Sequence, residues 1–205
     1  MDYEYDVFVS YKRDFPFGSW VHEHFLPFFS PFLASALNRA SVDIFVDTSA
    51  ISTGDSWPRR LQRALGTSRC LVALWSPLYF NSAWCRRECA AMLRRERLLG
   101  FRTVENPAGL MLPICLFDGE HFPETTRSIQ YGDCRKYFAV GEGFRKTELY
   151  VEFQKWMMAW VDDVARAVQT APPWDARMLD PTWLADDEIN LNPSPIYNFG
   201  FPGLG

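Results

Sequence analysis

Tyr5-Asp6-Val7-Phe8-Val9-Ser10-Tyr11 is a short run of β-branched and aromatic side chains, and it reads as a buried strand. Three later stretches repeat the pattern: Val42-Asp43-Ile44-Phe45-Val46-Asp47, Cys70-Leu71-Val72-Ala73-Leu74-Trp75 and Leu110-Met111-Leu112-Pro113-Ile114-Cys115-Leu116-Phe117. Each is separated from the last by a stretch with room for a helix. Strands alternating with helices predict an α/β fold with a parallel sheet of about five strands and helices on both faces. A weaker fifth strand is expected near Arg135-Lys136-Tyr137-Phe138. A helix follows from about Thr147 to Val168, with Phe153, Trp156, Met157, Trp160, Val161 and Val164 at three- and four-residue spacing. That stripe reads as core.

The chain has 205 residues, 48% of them hydrophobic, which suits one domain with its own core. A formal net charge of -4 argues against nucleic acid or an anionic membrane as the main partner, so any anionic ligand must be held locally. The start, Met1-Asp2-Tyr3-Glu4-Tyr5-Asp6, is acidic where a targeting peptide is basic, and no apolar run approaches the ~20 residues of a membrane span. A cytoplasmic location is expected. Cys70, Cys85, Cys89, Cys115 and Cys134 are odd in number, sit mostly in apolar runs and lack paired zinc spacing, as reduced core thiols do. His22-Glu23-His24 has no matching second half for a metal site, so no metal is expected. Arg94-Arg95-Glu96-Arg97, with Arg102 beyond, reads as a solvated helix end that complements the helix dipole.

In an open parallel sheet, ligands bind outside the carboxyl ends of the strands. The loops there are Ser10 to Asp14, Asp47 to Trp57 and Ser76 to Ser82, and they supply hydroxyls, basic groups, carboxylates and aromatics. No Gly-x-Gly-x-x-Gly and no Gly-Lys-Ser phosphate loop is present. In the following helix, Ala83-Trp84-Cys85-Arg86-Arg87-Glu88-Cys89 puts Trp84 and Glu88 four apart on one face. The residues three and four away from Glu88 are Trp84, Cys85, Ala91 and Met92, none of them basic. Glu88 thus reads either as a functional acid or as a surface glutamate with a tertiary ion-pair partner.

Taken together, these residues resemble the TIR (Toll/interleukin-1 receptor) domain family. Tyr5 to Asp14 resembles its first signature box, and Asp47 to Trp57 resembles its BB loop, with Gly54 as the loop glycine. Leu74-Trp75-Ser76-Pro77 resembles its third-strand exit, and Ser82 to Glu88 resembles the segment that carries the glutamate of NAD-cleaving members. The resemblance covers about residues 5 to 168 and implies a flavodoxin-like domain over residues 1–170. Residues 171–205 form an aromatic and proline-rich extension expected to pack on it.

The resemblance implies an enzyme that cleaves the nicotinamide-ribose bond of NAD, which is its substrate; no separate cofactor is implied. The product is ADP-ribose or a cyclic or base-exchanged nucleotide signal. Glu88 is the implied catalytic residue. Ser10, Tyr11 and Arg13 are implied on the first-strand side of the NAD site, Asp47, Gly54 and Trp57 on the BB-loop side, Ser76 at the floor and Trp84 as a wall. The forked donors of Arg13 suit a diphosphate, while its alternative is an ion pair with Asp14 or Asp47. Asp47 alternatively caps the BB loop through local bonds. Self-association through TIR-to-TIR contacts and a downstream effector that senses the product are implied partners, as in bacterial antiphage defence. Two other readings remain open: a non-catalytic TIR adaptor, and an enzyme like the nucleoside deoxyribosyltransferases.

Two stretches depart from the family outline. Prolines interrupt residues 15–31, and a helix is expected to restart at Ser30-Pro31, a serine cap with proline at the first helical position. After about Thr170, Trp174, Trp183, Tyr197, Phe199 and Phe201 occur among prolines, glycines and aspartates, too aromatic for a plain linker.

Overall fold

A computed structural model of the chain describes residues 2–47, 57–117, 119–120, 122–180 and 189–193. Strands β1 (Tyr5–Ser10), β2 (Ile44–Val46), β3 (Ser68–Trp75), β4 (Met111–Cys115) and β5 (Gly132–Asp133) form one parallel sheet in the order β2-β1-β3-β4-β5. This is the flavodoxin-like order, in which the winding direction reverses between β1 and β3 and leaves a crevice at their carboxyl ends. Val7, Phe8 and Val9 of β1 and all of Cys70 to Trp75 in β3 are buried, because helices cover both faces of these central strands.

The helices are α1 (Phe17–Trp20), α2 (Leu26–Ala36), α3 (Trp57–Gly66), α4 (Pro77–Asn81), α5 (Ala83–Leu98), α6 (Glu142–Arg145) and α7 (Glu148–Thr170). Thr147 caps α7 by accepting from the Tyr150 N–H at 3.3 Å, and the predicted stripe is buried at Phe153, Met157, Trp160, Val161 and Val164. The expected helix restart at Ser30-Pro31 does not occur. A π-helical turn over Val21–Phe25 joins α1 to α2, and the helical run passes straight through Pro27 and Pro31. Pro27 has no N–H for the carbonyl of Glu23 four residues back, and the Arg145 guanidinium donates to that carbonyl instead, at 2.8 Å. The aromatic rings of this run are core: Phe25 stacks on Phe29 at 4.8 Å, and both meet Trp160 of α7.

Two further expectations are corrected. The fifth strand lies at Gly132–Asp133, while Arg135–Tyr137 is a 3-10 turn. Tyr137 and Phe138 look strand-like because they are apolar, yet their rings pack on Trp20 and Phe153. Gly132 sits where a side chain would press on Trp156 and Trp160, so β5 is placed by those indoles. The basic run on α5 is solvated only in part: Arg97 is exposed, but Arg95 and Glu96 are each 1% exposed. Arg95 donates to the Ser68 carbonyl at the start of β3 and to the Tyr3 hydroxyl, both at 2.7 Å. Glu96 accepts from the Leu110 and Met111 N–H groups at the start of β4 and from Arg102.

All five cysteines are buried free thiols. Among the described residues no helix is long and apolar enough to cross a membrane. Beyond α7 the chain lies against the domain: Trp174 donates to the Gly66 carbonyl, the Pro172 carbonyl accepts from Tyr3, and Ile189 and Leu191 are buried. Trp183, Tyr197, Phe199 and Phe201 lie outside the described residues.

Candidate active site

The exits of β1 and β2 and the first turns of α5 enclose a cleft of about 170 Å³. Six of the predicted site residues line it together: Ser10, Tyr11, Arg13, Asp47, Trp84 and Glu88. Local chemistry fixes how α5 enters. Ser82 has extended backbone angles, and its hydroxyl accepts from the Cys85 N–H at 3.4 Å, which sets the first turn. The Cys85 thiol, which burial pushes up to about 12, stays protonated and donates to the Tyr11 carbonyl at 3.6 Å. This ties α5 to the exit of β1, so Trp84 and Glu88, one turn apart, both face the cleft.

Glu88 is 7% exposed, and its Oε2 accepts from the Ser10 hydroxyl at 2.5 Å. The same Ser10 oxygen lies 2.8 Å from the Tyr79 hydroxyl. Burial pushes the Glu88 carboxyl up to about 7; the Ser10 hydrogen bond opposes the rise, the Asp47 charge adds to it and Arg13 lowers it. The acid is therefore poised to change charge near neutrality.

Around it, Arg13 pairs with Asp47 at 3.3 Å, the ion pair read from the sequence as one alternative, and both residues still line the cleft. Lys12 pairs with Asp14 at 2.8 Å and lines the same cleft. The Tyr11 hydroxyl donates to the Asp47 carbonyl at 3.3 Å and lies 3.0 Å from His22 Nε2. Trp84 is half-buried, with the Arg87 guanidinium 5.2 Å from its ring centroid.

The structure does not bring every predicted residue to the cleft. Ser76 is fully buried and forms no floor; it caps α4 by accepting from the Tyr79 N–H at 3.1 Å. Trp57 opens α3, its side chain lying outside the described residues, as does Gly54. Tyr79, Cys85 and His22 were not singled out from sequence as parts of the site. The Ser76-Pro77 pair signals a helix start just before Tyr79, but nothing in that spacing places its hydroxyl beside β1. His22 and His24 point to different surroundings: the His24 ring is fully buried between Phe144 and Tyr150, where burial lowers its pKa.

The raised Glu88 pKa carries a stability consequence. Unfolded, the carboxyl ionises in the ordinary range near 4.5; folded, it does so near 7. At low pH it is protonated in both states and no charge is buried, whereas stability is lost as pH rises from about 4.5 and the loss is complete just above about 7. Glu88→Gln keeps an acceptor for Ser10 and has no proton to lose. The variant is expected to be more stable than wild type at about pH 8, by about 1–3 kcal/mol, with the gain closing toward about pH 4. Thermal melts across that range check this, and a variant less stable at the alkaline end contradicts it.

The chain is similar to several known proteins. A curated relative, a probable 2′ cyclic ADP-D-ribose synthase (BdTIR) from Brachypodium distachyon, is 29% identical over 89 residues, which span 43% of this chain and 40% of that protein. The TIR domain of the Toll-related receptor TRR-2 from Hydra magnipapillata is similar at 20% identity, over 63% of this chain and 83% of that one, with a TM-score of 0.43. A TIR-STING receptor from C. gigas is similar at 16% identity, over 83% of this chain and 40% of that one, with a TM-score of 0.45. The profile of the TIR domain family (TIR_2) matches residues 7–147, which include every residue named around the cleft, and the chain belongs to that family.

Proposed function

We propose that this chain is an NAD-cleaving enzyme that breaks the nicotinamide-ribose bond, with Glu88 as its catalytic residue. The observation that carries the reading is the Glu88 carboxyl, buried at the inner end of the strand-exit cleft, beside Trp84 and anchored by Ser10. The relative described as a probable cyclic ADP-ribose synthase supports it.

The chemistry suits a single acid. Nicotinamide in NAD is already cationic and departs as a neutral base, so no second carboxyl is required to protonate a leaving oxygen. In the free site at neutral pH, Glu88 is close to half-protonated. The positive pyridinium favours its ionised form on binding. The carboxylate then receives the ribose hydroxyls and stabilises the positive charge that develops at the anomeric carbon, an effect strengthened where water is excluded. Trp84 and Tyr11 wall that volume, and the Arg13 fork takes the diphosphate at the open side.

The same reading includes ADP-ribose or a cyclic or base-exchanged nucleotide as product, assembly through TIR-to-TIR contacts, and a cytoplasmic setting. A signal of that kind, sensed by an effector in bacterial antiphage immunity, rests on the sequence resemblance. Purified protein with NAD is expected to release nicotinamide, and mass spectrometry of the remainder identifies the product. Because Glu88 must ionise in the free enzyme, kcat/KM is expected to rise with pH through about 7. The acid limb of kcat lies lower, since the bound cation favours the carboxylate. NAD left intact by protein tested both free and assembled refutes the proposal in favour of an adaptor; consumption of a nucleoside instead favours a transferase.

A further inference from the structure

We infer that Tyr79 is a positioning residue that, through Ser10, holds the Glu88 carboxyl in its ionised, cleft-facing state. Its functional meaning rests on the reading of Glu88 above, while its geometry stands independently of that reading.

The inference follows from counting hydrogens. Ser10 Oγ carries one, and lies 2.5 Å from Glu88 Oε2 and 2.8 Å from the Tyr79 hydroxyl. An ionised carboxylate only accepts, so the serine hydrogen is committed to Oε2, and the tyrosine must supply the hydrogen of the second bond. The chain runs in one direction: Tyr79 O–H to Ser10 O–H to Glu88. Ser10 is 1% exposed and Tyr79 fully buried, so bulk water is a poor substitute for either donor. If a proton on Oε2 reverses the chain, Glu88 donates to Ser10 and Ser10 to Tyr79, and the tyrosine hydrogen must find a new acceptor. The Cys85 and Cys89 sulfurs close enough to act on it electrostatically are weak acceptors. If the proton sits on Oε1, the chain keeps its direction but ends on a neutral and weaker acceptor. In both cases the anion gains more from the relay than the acid does, and in-line donors polarise one another.

The rest of the fold holds this donor in place. Tyr79 lies in the single turn of α4, whose start is fixed by Pro77 and by the Ser76 cap. This gives Ser76 a place two bonds behind the site. The tyrosine cannot answer by ionising, since burial pushes its pKa well above the ordinary value. The other charged and titratable groups about the carboxyl are Tyr11, Lys12, Arg13 and Asp14 after β1, Asp47 after β2, and Cys85 and Cys89 on α5 itself. Removing the Tyr79 hydroxyl leaves all seven in place.

The test reads the Glu88 titration directly, by NMR of protein carrying ¹³C-labelled glutamate carboxyls, with the Glu88 resonance identified by its loss in Glu88→Gln. Tyr79→Phe keeps the ring and removes the donor, and is expected to raise the midpoint by about half a pH unit, a fraction of one hydrogen bond because the donor reaches the carboxylate only through Ser10. The acid limb of kcat/KM for NAD cleavage moves by the same amount. Placing 3-fluorotyrosine at position 79, a stronger donor of nearly the same shape, lowers the midpoint and decides the matter even if the phenylalanine variant does not fold. A midpoint unmoved in the fluorotyrosine protein, or unmoved in a folded Tyr79→Phe, overturns the inference and leaves Tyr79 as packing. The titration needs no turnover, so a chain that cleaves no NAD yet shows both shifts loses the proposed function and keeps this relay.

Discussion

Glu88→Gln is expected to reduce nicotinamide release from NAD by about 10²–10³-fold or more while leaving the fold intact. The amide is nearly the same size as the acid and still accepts from Ser10, so the contact that seats the side chain survives. What disappears is the unit negative charge beside the anomeric carbon, in a site where Glu88 is almost fully screened from water. A charge there acts through a low effective dielectric and cannot be replaced by the partial charge of an amide oxygen. The assay belongs at about pH 8, above the Glu88 midpoint, where wild type is ionised and the contrast is greatest. Binding and chemistry separate in the two kinetic constants. Loss of transition-state stabilisation alone lowers kcat and kcat/KM together, whereas loss of a ribose contact alone raises KM. A glutamine variant that keeps a tenth of wild-type kcat, with the same thermal melt at low pH, removes Glu88 from the catalytic role.

How far this site can be read from the sequence follows from which residues depend on local structure. Strands β1, β3 and β4 stand out as largely buried apolar runs, and β2, at the sheet edge with Phe45 alone buried, stands out by its β-branched and aromatic residues. Strand β5 does not, because its two residues are placed by Trp156 and Trp160, side chains that arrive from α7 over twenty residues later. Ser10, Tyr11, Arg13, Asp47, Trp84 and Glu88 follow from the family resemblance, and strand exits with a capped helix start are what bring them together in space. The same resemblance puts Ser76 at the floor, but a serine before a proline prefers to cap the helix that comes next. Tyr79 escaped notice since an aromatic ring beside Phe80 reads as core. Its polar tip matters only because β1 passes underneath. The prolines of residues 26–31 misled for another reason. Helix-breaking is a statement about local hydrogen bonds, and at Pro27 a distant guanidinium, Arg145, donates to the Glu23 carbonyl that proline cannot reach.

The charged end of α5 sets the largest expected effect on stability. Glu96→Ala is expected to destabilise the fold by about 3–5 kcal/mol, the size of removing one partner from a buried ion pair. Glu96 Oε1 accepts from the Leu110 and Met111 N–H groups, at 2.5 and 2.7 Å, and Oε2 accepts from Arg102 Nε at 2.6 Å. Truncation strips the acceptor from two buried backbone donors at the start of β4 and removes the partner of a largely buried guanidinium. Arg102 also donates to the Met111 carbonyl, so the charge is held in place and cannot simply swing out to water. Glu96→Gln should recover part of the loss, because an amide oxygen still accepts from the backbone while the ion pair is gone. Denaturant unfolding of both variants measures the ordering, wild type above Gln above Ala. A solvated helix face, the reading that the Arg-Arg-Glu-Arg pattern invites, predicts changes within about 0.5 kcal/mol for either substitution. The two readings therefore differ several-fold in one experiment, and a near-neutral Glu96→Ala would return this run to the surface and leave the start of β4 without its acidic anchor.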